Sequence, residues 1–211
     1  FTVEAGVAFA DPGVVASDDR DGDLTAKVVV GGDTVDTSIP GVYTMTYDVT
    51  DASGNKAAQM FRRVTVADRM APVVTLKGDS EVSLEVGAAY VDAGATAADV
   101  FEGDLTSKLA TDNPVDSSKL GEYTVTYRVS DGAGNEGVAT RKVTVADTTA
   151  PALVLAGNAA INHEAGTAYV DAGASATDSF EGDLSTRVQV GGDTVDTSKE
   201  GVYTITFNVS D

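Results

Sequence analysis

Apolar and polar residues alternate with a period of two through much of the chain. Tyr123, Val125, Tyr127 and Val129 are interleaved with Thr124, Thr126 and Arg128. The same alternation runs through Tyr43, Met45, Tyr47 and Val49, and again through Tyr203, Ile205, Phe207 and Val209. A period of two sends successive side chains to opposite faces of a strand, so each run predicts a half-buried strand. Val64-Thr-Val66 and Val143-Thr-Val145 predict a further strand after two of them. Turn residues separate the runs at Gly31-Gly32, Pro40-Gly41, Gly54-Asn55, Asn113-Pro114 and Gly191-Gly192. No long segment of helical period competes. Roughly seven short strands in ~80 residues, with turns every ~8–12, predict an all-β fold of two packed sheets. Tyr43, Tyr123 and Tyr203 each open the most regular strand, where a phenol hydroxyl can hold the preceding corner. As a core aromatic, the same residue predicts the same fold.

The pattern repeats. Asp23-Leu24, Asp104-Leu105 and Asp183-Leu184 recur at intervals of 81 and 79 residues, and Asp51, Asp131 and Asp211 at intervals of 80. Val30 to Ser38 is identical to Val190 to Ser198. This period is too long for a solenoid unit of one hairpin or helix pair and suits one small domain per copy. The boundaries predicted are 1–68, 69–147 and 148–211. Phe1 aligns with Val82, so the first copy lacks a first strand; the third lacks the segment matching Gly137 to Val145. The chain therefore reads as a window on a longer array. The alternative is a whole subunit whose open edges exchange strands with other copies to form a fibre. Asn55 to Asp68 is one residue longer than Asn135 to Asp147, which predicts a bulge in the last strand of the first copy.

Charge narrows the function. Fourteen basic residues against 33 acidic ones give a net charge of −19, which excludes binding along a phosphate backbone. There is no cysteine, so disulfide and thiolate chemistry are absent. No apolar run reaches the length of a membrane span. His163 is the single histidine and stands where the other copies have Val3 and Leu84, a packing or edge position. No nucleophile–base pair or phosphate loop is visible. The acids recur on turns in every copy, which does not suit a glycosidase pair in a cleft. The chain reads as non-catalytic.

The acids concentrate in Asp99-Val-Phe-Glu102-Gly-Asp104-Leu105 and its near copies, which hold Asp18, Asp21 and Asp23, and Asp178, Glu181 and Asp183. A second motif follows each: Asp51 to Asn55, Asp131 to Asn135, and Asp211. Together with Ala-Pro-Val-Val-Thr-Leu, Leu-Glu-Val-Gly, Asp-Ala-Gly-Ala-Thr-Ala and Gly-Glu-Tyr-Thr-Val-Thr-Tyr, these stretches resemble, in order and over the whole chain, the bacterial immunoglobulin-like tandem repeats of the DUF5011 type, related to the HYR repeats. Asp21, where the other copies have Glu, is a departure from the pattern. The resemblance implies tandem immunoglobulin-like β-sandwich domains in a linear array, in a large secreted or cell-surface protein such as an adhesin. It implies no catalytic activity, because the fold is a generic carrier.

In an immunoglobulin-like topology the two acidic motifs and the entering linker lie at one end of the domain. The linkers bring Asp68 and Asp147. Asp68, Asp99, Glu102, Asp104, Asp131 and Asn135 are thus expected to meet at one junction. Asp147, Asp178, Glu181, Asp183 and Asp211 are expected to meet at the next, and Asp18, Asp21, Asp23, Asp51 and Asn55 form the corresponding set in the first copy. Calcium takes six to eight oxygen ligands at ~2.3–2.6 Å, which carboxylates, Asn amides and carbonyls supply. Magnesium demands a tighter octahedron, and zinc prefers Cys and His. The EF-hand pattern fails at Leu24, where glycine belongs. Solvated acidic turns remain the alternative. Glu4, Glu85 and Glu164 are positioned to reach the next junction from the far end of their domain, or to stand as exposed strand residues. Asp36, Asp116 and Asp196 read as turn formers.

Three roles follow. The first is a spacer in an adhesin or filament, stiffened by calcium between neighbouring repeats. The second is a module that binds a surface glycan or protein. The third is an accessory stalk of a secreted enzyme. Phe101 and Phe180, inside the acidic loops, are placed either to bind a ligand or to pack across a junction.

Overall fold

The computed structural model describes residues 1–211, and it is all-β with three short 3₁₀ turns. The middle repeat shows the full arrangement. One sheet pairs Ala95–Asp99 antiparallel with Val73–Leu76 on one side and with Gly103–Asp104 on the other. The second sheet runs in the order Ala110–Asp112, Gly121–Ser130, Glu136–Ala146, Glu81–Glu85. Its last pairing is parallel, Glu81 opposite Lys142 and Glu85 opposite Ala146. The first repeat builds the equivalent of this sheet from Thr2–Glu4, Met60–Ala67, Gly41–Asp48 and Val29–Gly32, again with a parallel first strand. The third repeat has Ala152–Leu155, Ala174–Asp178 and Gly182–Asp183 in one sheet, and Gln189–Gly192 with Ile205–Asn208 in another.

By contacts the chain divides into two compact units. One contains Phe1–Ser80, Asp92–Asn113 and Val125–Arg141; the other contains Glu81–Val91, Pro114–Thr124 and Lys142–Asp211. Asp68 and Asp147 each lie inside a unit, not at its edge.

The alternating residues fill the cores. Val64, Val125, Tyr127 and Val143 are fully buried. Ala97, Leu105 and Val129 pack with Val74 and Leu109. The first two repeats each place an arginine on the inward phase of their last strand. Arg141 is 1% exposed and donates to the Asp92 carboxylate, to the Tyr127 hydroxyl (2.7 Å) and to the carbonyls of Lys77 and Asp79. Arg62 makes the corresponding set with Asp11, the Tyr47 hydroxyl (3.0 Å) and the Gly13 carbonyl (2.9 Å). A guanidinium is tolerated inside a sandwich because its charge is paired and its donors are bonded.

The tyrosine corners are made. Tyr43 donates to the carbonyls of Asp36 and Ile39, Tyr123 to Lys119, and Tyr203 to Asp196 and Lys199. The aspartates beneath them are turn formers, as Asp36, Asp116 and Asp196 each accept from the backbone and hydroxyl of the Ser two residues on. The bulge is present too. Tyr47 pairs with Met60, but the next bridge joins Thr50 to Lys56, so two residues on one strand face three on the other.

Candidate metal centre

Each acidic motif is anchored by the leucine that ends it. Leu24, Leu105 and Leu184 are 2–4% exposed, and their amides donate to Ala16, Ala97 and Ala176 at 2.8–2.9 Å. Burial of the leucine fixes the turn just before it. The strand Ala95–Asp99 then sets the first carboxylate, because Ala95, Ala97 and Asp99 share its inward phase. Two small residues are thus followed by an acid on the core side. Asp99 and Asp178 are only 7% and 8% exposed for this reason. In both, Oδ1 accepts two backbone amides of the turn: Phe101 and Glu102 at 2.7 and 3.0 Å, and Phe180 and Glu181 at 2.6 and 2.9 Å.

A second carboxylate comes from the hairpin before the last strand. Asp131, 7% exposed, accepts from the Asn135 amide and from its side-chain Nδ2, both at 2.8 Å. The linker aspartate brings a third. One carboxylate oxygen from each of Asp68, Asp99 and Asp131 lies within 4.8 Å of the others, and the same holds for Asp147, Asp178 and Asp211. Asp68 Oδ1 and Oδ2, Asp99 Oδ2 and Asp178 Oδ2 are sealed from solvent and accept no hydrogen bond. Buried acceptors in native structures are nearly always paired, so orphaned anionic oxygens facing one another mark a place that needs a positive charge.

The acids within a cluster are not equivalent. Burial pushes the Asp68 carboxyl above the usual carboxylate range, and the charges of Asp99 and Asp131 push it further. Burial also raises Asp147, with Asp178 and Glu85 contributing. For Asp131 burial opposes ionisation, but hydrogen bonds from Asn135 outweigh it and hold the carboxyl low. The amides of Glu181 and Phe180 lower Asp178. Each cluster therefore combines a loop aspartate stabilised as an anion, Asp131 or Asp178, with one linker aspartate that resists ionisation.

The structure places the remaining sequence candidates around the clusters, not in them. Asp23, Asp104 and Asp183 are exposed and accept from the backbone amides of Thr25, Thr106 and Ser185, each at 2.9 Å. Glu102 ties the two loops together by accepting from the Gly132 amide and pairing with Lys108. Asp21 makes the equivalent bond to Ala52 at 2.7 Å, so the shorter acid does the work of the glutamate. Glu181 pairs with Arg187 at 2.7 Å. Asn135 stands behind Asp131, and its Nδ2 also reaches the Asp68 carbonyl at 3.4 Å. In the first repeat Asp18 holds its turn and Asp51 is held by Asn55, but neither belongs to a three-carboxylate cluster.

Both linkers are fastened by a glutamate of the preceding repeat, and the first also from its other side. Glu4 Oε1 accepts from the amides of Arg69 (2.6 Å) and Met70 (3.2 Å). Glu85 accepts from the Thr148 amide at 3.0 Å, from its hydroxyl, and from the Thr149 hydroxyl at 2.9 Å. On the other side the carbonyl of buried Pro72 lies where a Cβ on Gly137 would sit, so only glycine fits there. Sequence reasoning missed this contact. Its signal was a glycine at the start of a strand that otherwise alternates, a mark of close backbone approach.

The donor set is carboxylate oxygen. There is no cysteine, and His163 is bonded to Thr167 within its own loop. A hard divalent cation fits these donors, and a thiolate or imidazole metal does not. No helix is long and apolar enough to cross a membrane.

Sandwiches with these corners, joined in tandem by short linkers, define a class of immunoglobulin-like repeat proteins. Within it, the chain belongs to the family described as "Bacterial surface protein, Ig-like domain", whose pattern matches residues 1–66, 74–145 and 153–211. It is 34% identical over 206 residues to the pesticidal crystal protein Cry22Aa of Bacillus thuringiensis, an alignment that takes in 93% of this chain and 27% of that protein. It is 27% identical over 209 residues to an uncharacterized 81.3 kDa protein of Acholeplasma phage L2, covering 95% of this chain and 28% of that one. The chain thus spans less than a third of the length of these relatives. Among solved structures, the lipoprotein BT2262 from Bacteroides thetaiotaomicron matches 41% of the chain and 46% of its own length, with 27% identity and a TM-score of 0.34. The M60 catalytic domain with two CBM51 domains of Clostridium perfringens ZmpB matches 82% of the chain and 32% of its own length, with 14% identity and a TM-score of 0.46. Superpositions this loose carry no functional argument.

Proposed function

We propose that the chain is a non-catalytic spacer region of an extracellular bacterial surface protein, with repeats at 1–68, 69–147 and 148–211, stiffened by calcium at its junctions. The observation that carries this reading is the recurrence of one arrangement at both linkers. A linker aspartate and two loop aspartates converge, with buried oxygens left unpaired. Asp68, Asp99 and Asp131 would hold one ion, and Asp147, Asp178 and Asp211 the other. Bound there, calcium supplies the positive charge these carboxylates lack. The chain's own part is to bring a ligand from the linker against ligands from the following repeat. Without the ion, like charges push the linker out of the site. With it, linker and loops are drawn together and the junction loses freedom.

The test is small-angle X-ray scattering of the 211-residue chain in calcium and in chelator, alongside calorimetric titration of calcium. The expected outcome is saturable binding at two sites and a longer, less variable particle with calcium. Binding with no change in maximum dimension would refute stiffening, and no binding at micromolar to millimolar calcium would refute the site.

A second reading, an accessory module of a larger secreted protein, draws on the relative named as a pesticidal crystal protein, of which the matched region is only 27%. The two readings are compatible, since a spacer can carry any effector.

A further inference from the structure

We infer that Glu4 and Glu85 are positioning residues, holding the linker aspartates over their clusters and tying a bound cation to the body of the preceding repeat; this rests on the cation reading above. The parallel pairings set Glu4 opposite Ala67 and Glu85 opposite Ala146, in each case one residue before the linker aspartate. From there each carboxylate reaches past that aspartate to the next two residues. The partners differ in chemistry. Glu4 holds the backbone amides of Arg69 and Met70, whereas Glu85 holds one amide and two threonine hydroxyls. What recurs is the glutamate and the place it fixes, not the side chains fixed.

The linker aspartate is the one ligand in each triad that lies outside the loops of the following repeat. If its linker were free, the ion would be satisfied while the linker flexed, and nothing would reach the preceding repeat. Ordering the backbone beside Asp68 and Asp147 removes that slack. It also removes part of the conformational entropy that binding would otherwise have to overcome. Glu164, the counterpart in the third repeat, holds neither linker, so it serves as an internal control.

The chain has no cysteine, so spin labels can be placed at will. Val91 and Val170 occupy equivalent positions in the second and third repeats and are 85% and 88% exposed. With both replaced by labelled cysteine, electron–electron double resonance reads the distance distribution across the second junction. The expected result for the otherwise wild-type chain is a distribution that narrows with calcium. In Glu85→Ala, calorimetry still detects two calcium sites, the second weaker by about tenfold, while the distribution stays as broad as in chelator. Glu85→Gln, whose amide oxygen can still accept from Thr148, restores the narrowing, and Glu164→Ala behaves as wild type. Narrowing in Glu85→Ala equal to wild type overturns the inference and leaves the cation reading intact. Loss of the second site in both Glu85→Ala and Glu85→Gln makes the glutamate a direct ligand and overturns the positioning role. A wild-type chain that takes up no calcium overturns both.

Discussion

The two junctions hold the same triad of aspartates and differ in how closely an aromatic side chain packs beside it. At the first, Phe101 is half-buried and lies against Gly6. At the second, Phe180 is 43% exposed and Gly87, the counterpart of Gly6, has open space around it. The ligand type is therefore set by the recurring motif, whereas its enclosure is set by residues outside that motif. Affinity for a hard cation depends on both, because second-shell bonds fix ligand orientation and burial sets the local dielectric. The first junction should hold its ion more tightly.

The largest effect that tests this contrast is loss of a buried ligand. Asp99→Asn should abolish the first calcium site and Asp178→Asn the second, each with more than about a 100-fold loss at its own junction. A two-site calorimetric isotherm should become a one-site isotherm in either variant. Comparing the site that survives in each then ranks the junctions, with the first tighter by about tenfold. Equal affinities would mean that enclosure contributes nothing. Asn135→Ala should sharpen the point by weakening the first site alone by about 10–100-fold, since it removes the bonds that orient Asp131.

A smaller effect concerns the protein without metal. The Asp68 and Asp147 carboxyls are raised by burial, so each favours the folded state in its protonated form. Their contribution is fully present below the ordinary carboxylate pKa and is lost as pH rises through the raised value. Asp131 and Asp178 are lowered, so theirs is present above the ordinary value and lost as pH falls through the lowered one. In chelator, the chain should therefore gain stability as pH falls from neutral toward the raised values, and lose it on further acidification. Asp68→Asn should remove part of the gain and raise the metal-free Tm at neutral pH by about 2–4 °C, while eliminating the first calcium site. A fall in metal-free Tm would show that the orphaned carboxylate is not a liability.

Much of this was legible in the chain itself. Period-two runs such as Tyr123 to Val129 gave strands, and the one-residue excess between Asn55 and Asp68 gave a bulge. The convergence of Asp68, Asp99 and Asp131 followed once the topology was assumed, because three loops at one end of a sandwich must meet. Which acids stay outside the cluster was not legible. Asp99 and Asp104 look alike in sequence, yet Asp99 sits on the inward phase of a strand whose earlier inward residues are alanines, while Asp104 caps a 3₁₀ turn. Buried Arg141 was hidden for a similar reason. In Arg141-Lys-Val143-Thr-Val145 the inward phase begins with a charge, and distant groups — Asp92, Tyr127 and the Lys77 and Asp79 carbonyls — make that position habitable. A period-two count sees the valines and passes over the residue that locks the last strand to the rest of the sandwich.

The smallest predicted effect isolates the aromatic at the two junctions. Phe101 and Phe180 occupy the same place in their acidic loops, but only Phe101 has a neighbour from the preceding repeat. The Cβ position of Gly6 is 3.6 Å from Phe101 Cα, Cδ2 and the Val100 carbonyl. Gly6 has φ of +74°, a conformation that favours glycine, and its counterparts Gly87 and Gly166 share it at +81° and +83°. Burying part of a phenyl ring in this way contributes about 1 kcal/mol. Phe101→Ala should therefore lower metal-free stability by about that amount in urea, and loosen the first junction as read by labels placed across it. Phe180→Ala should change both quantities less at the second junction, because Phe180 is already 43% exposed and Gly87 has open space around it. If the two substitutions proved equal, the enclosure seen at the first junction would carry no energy.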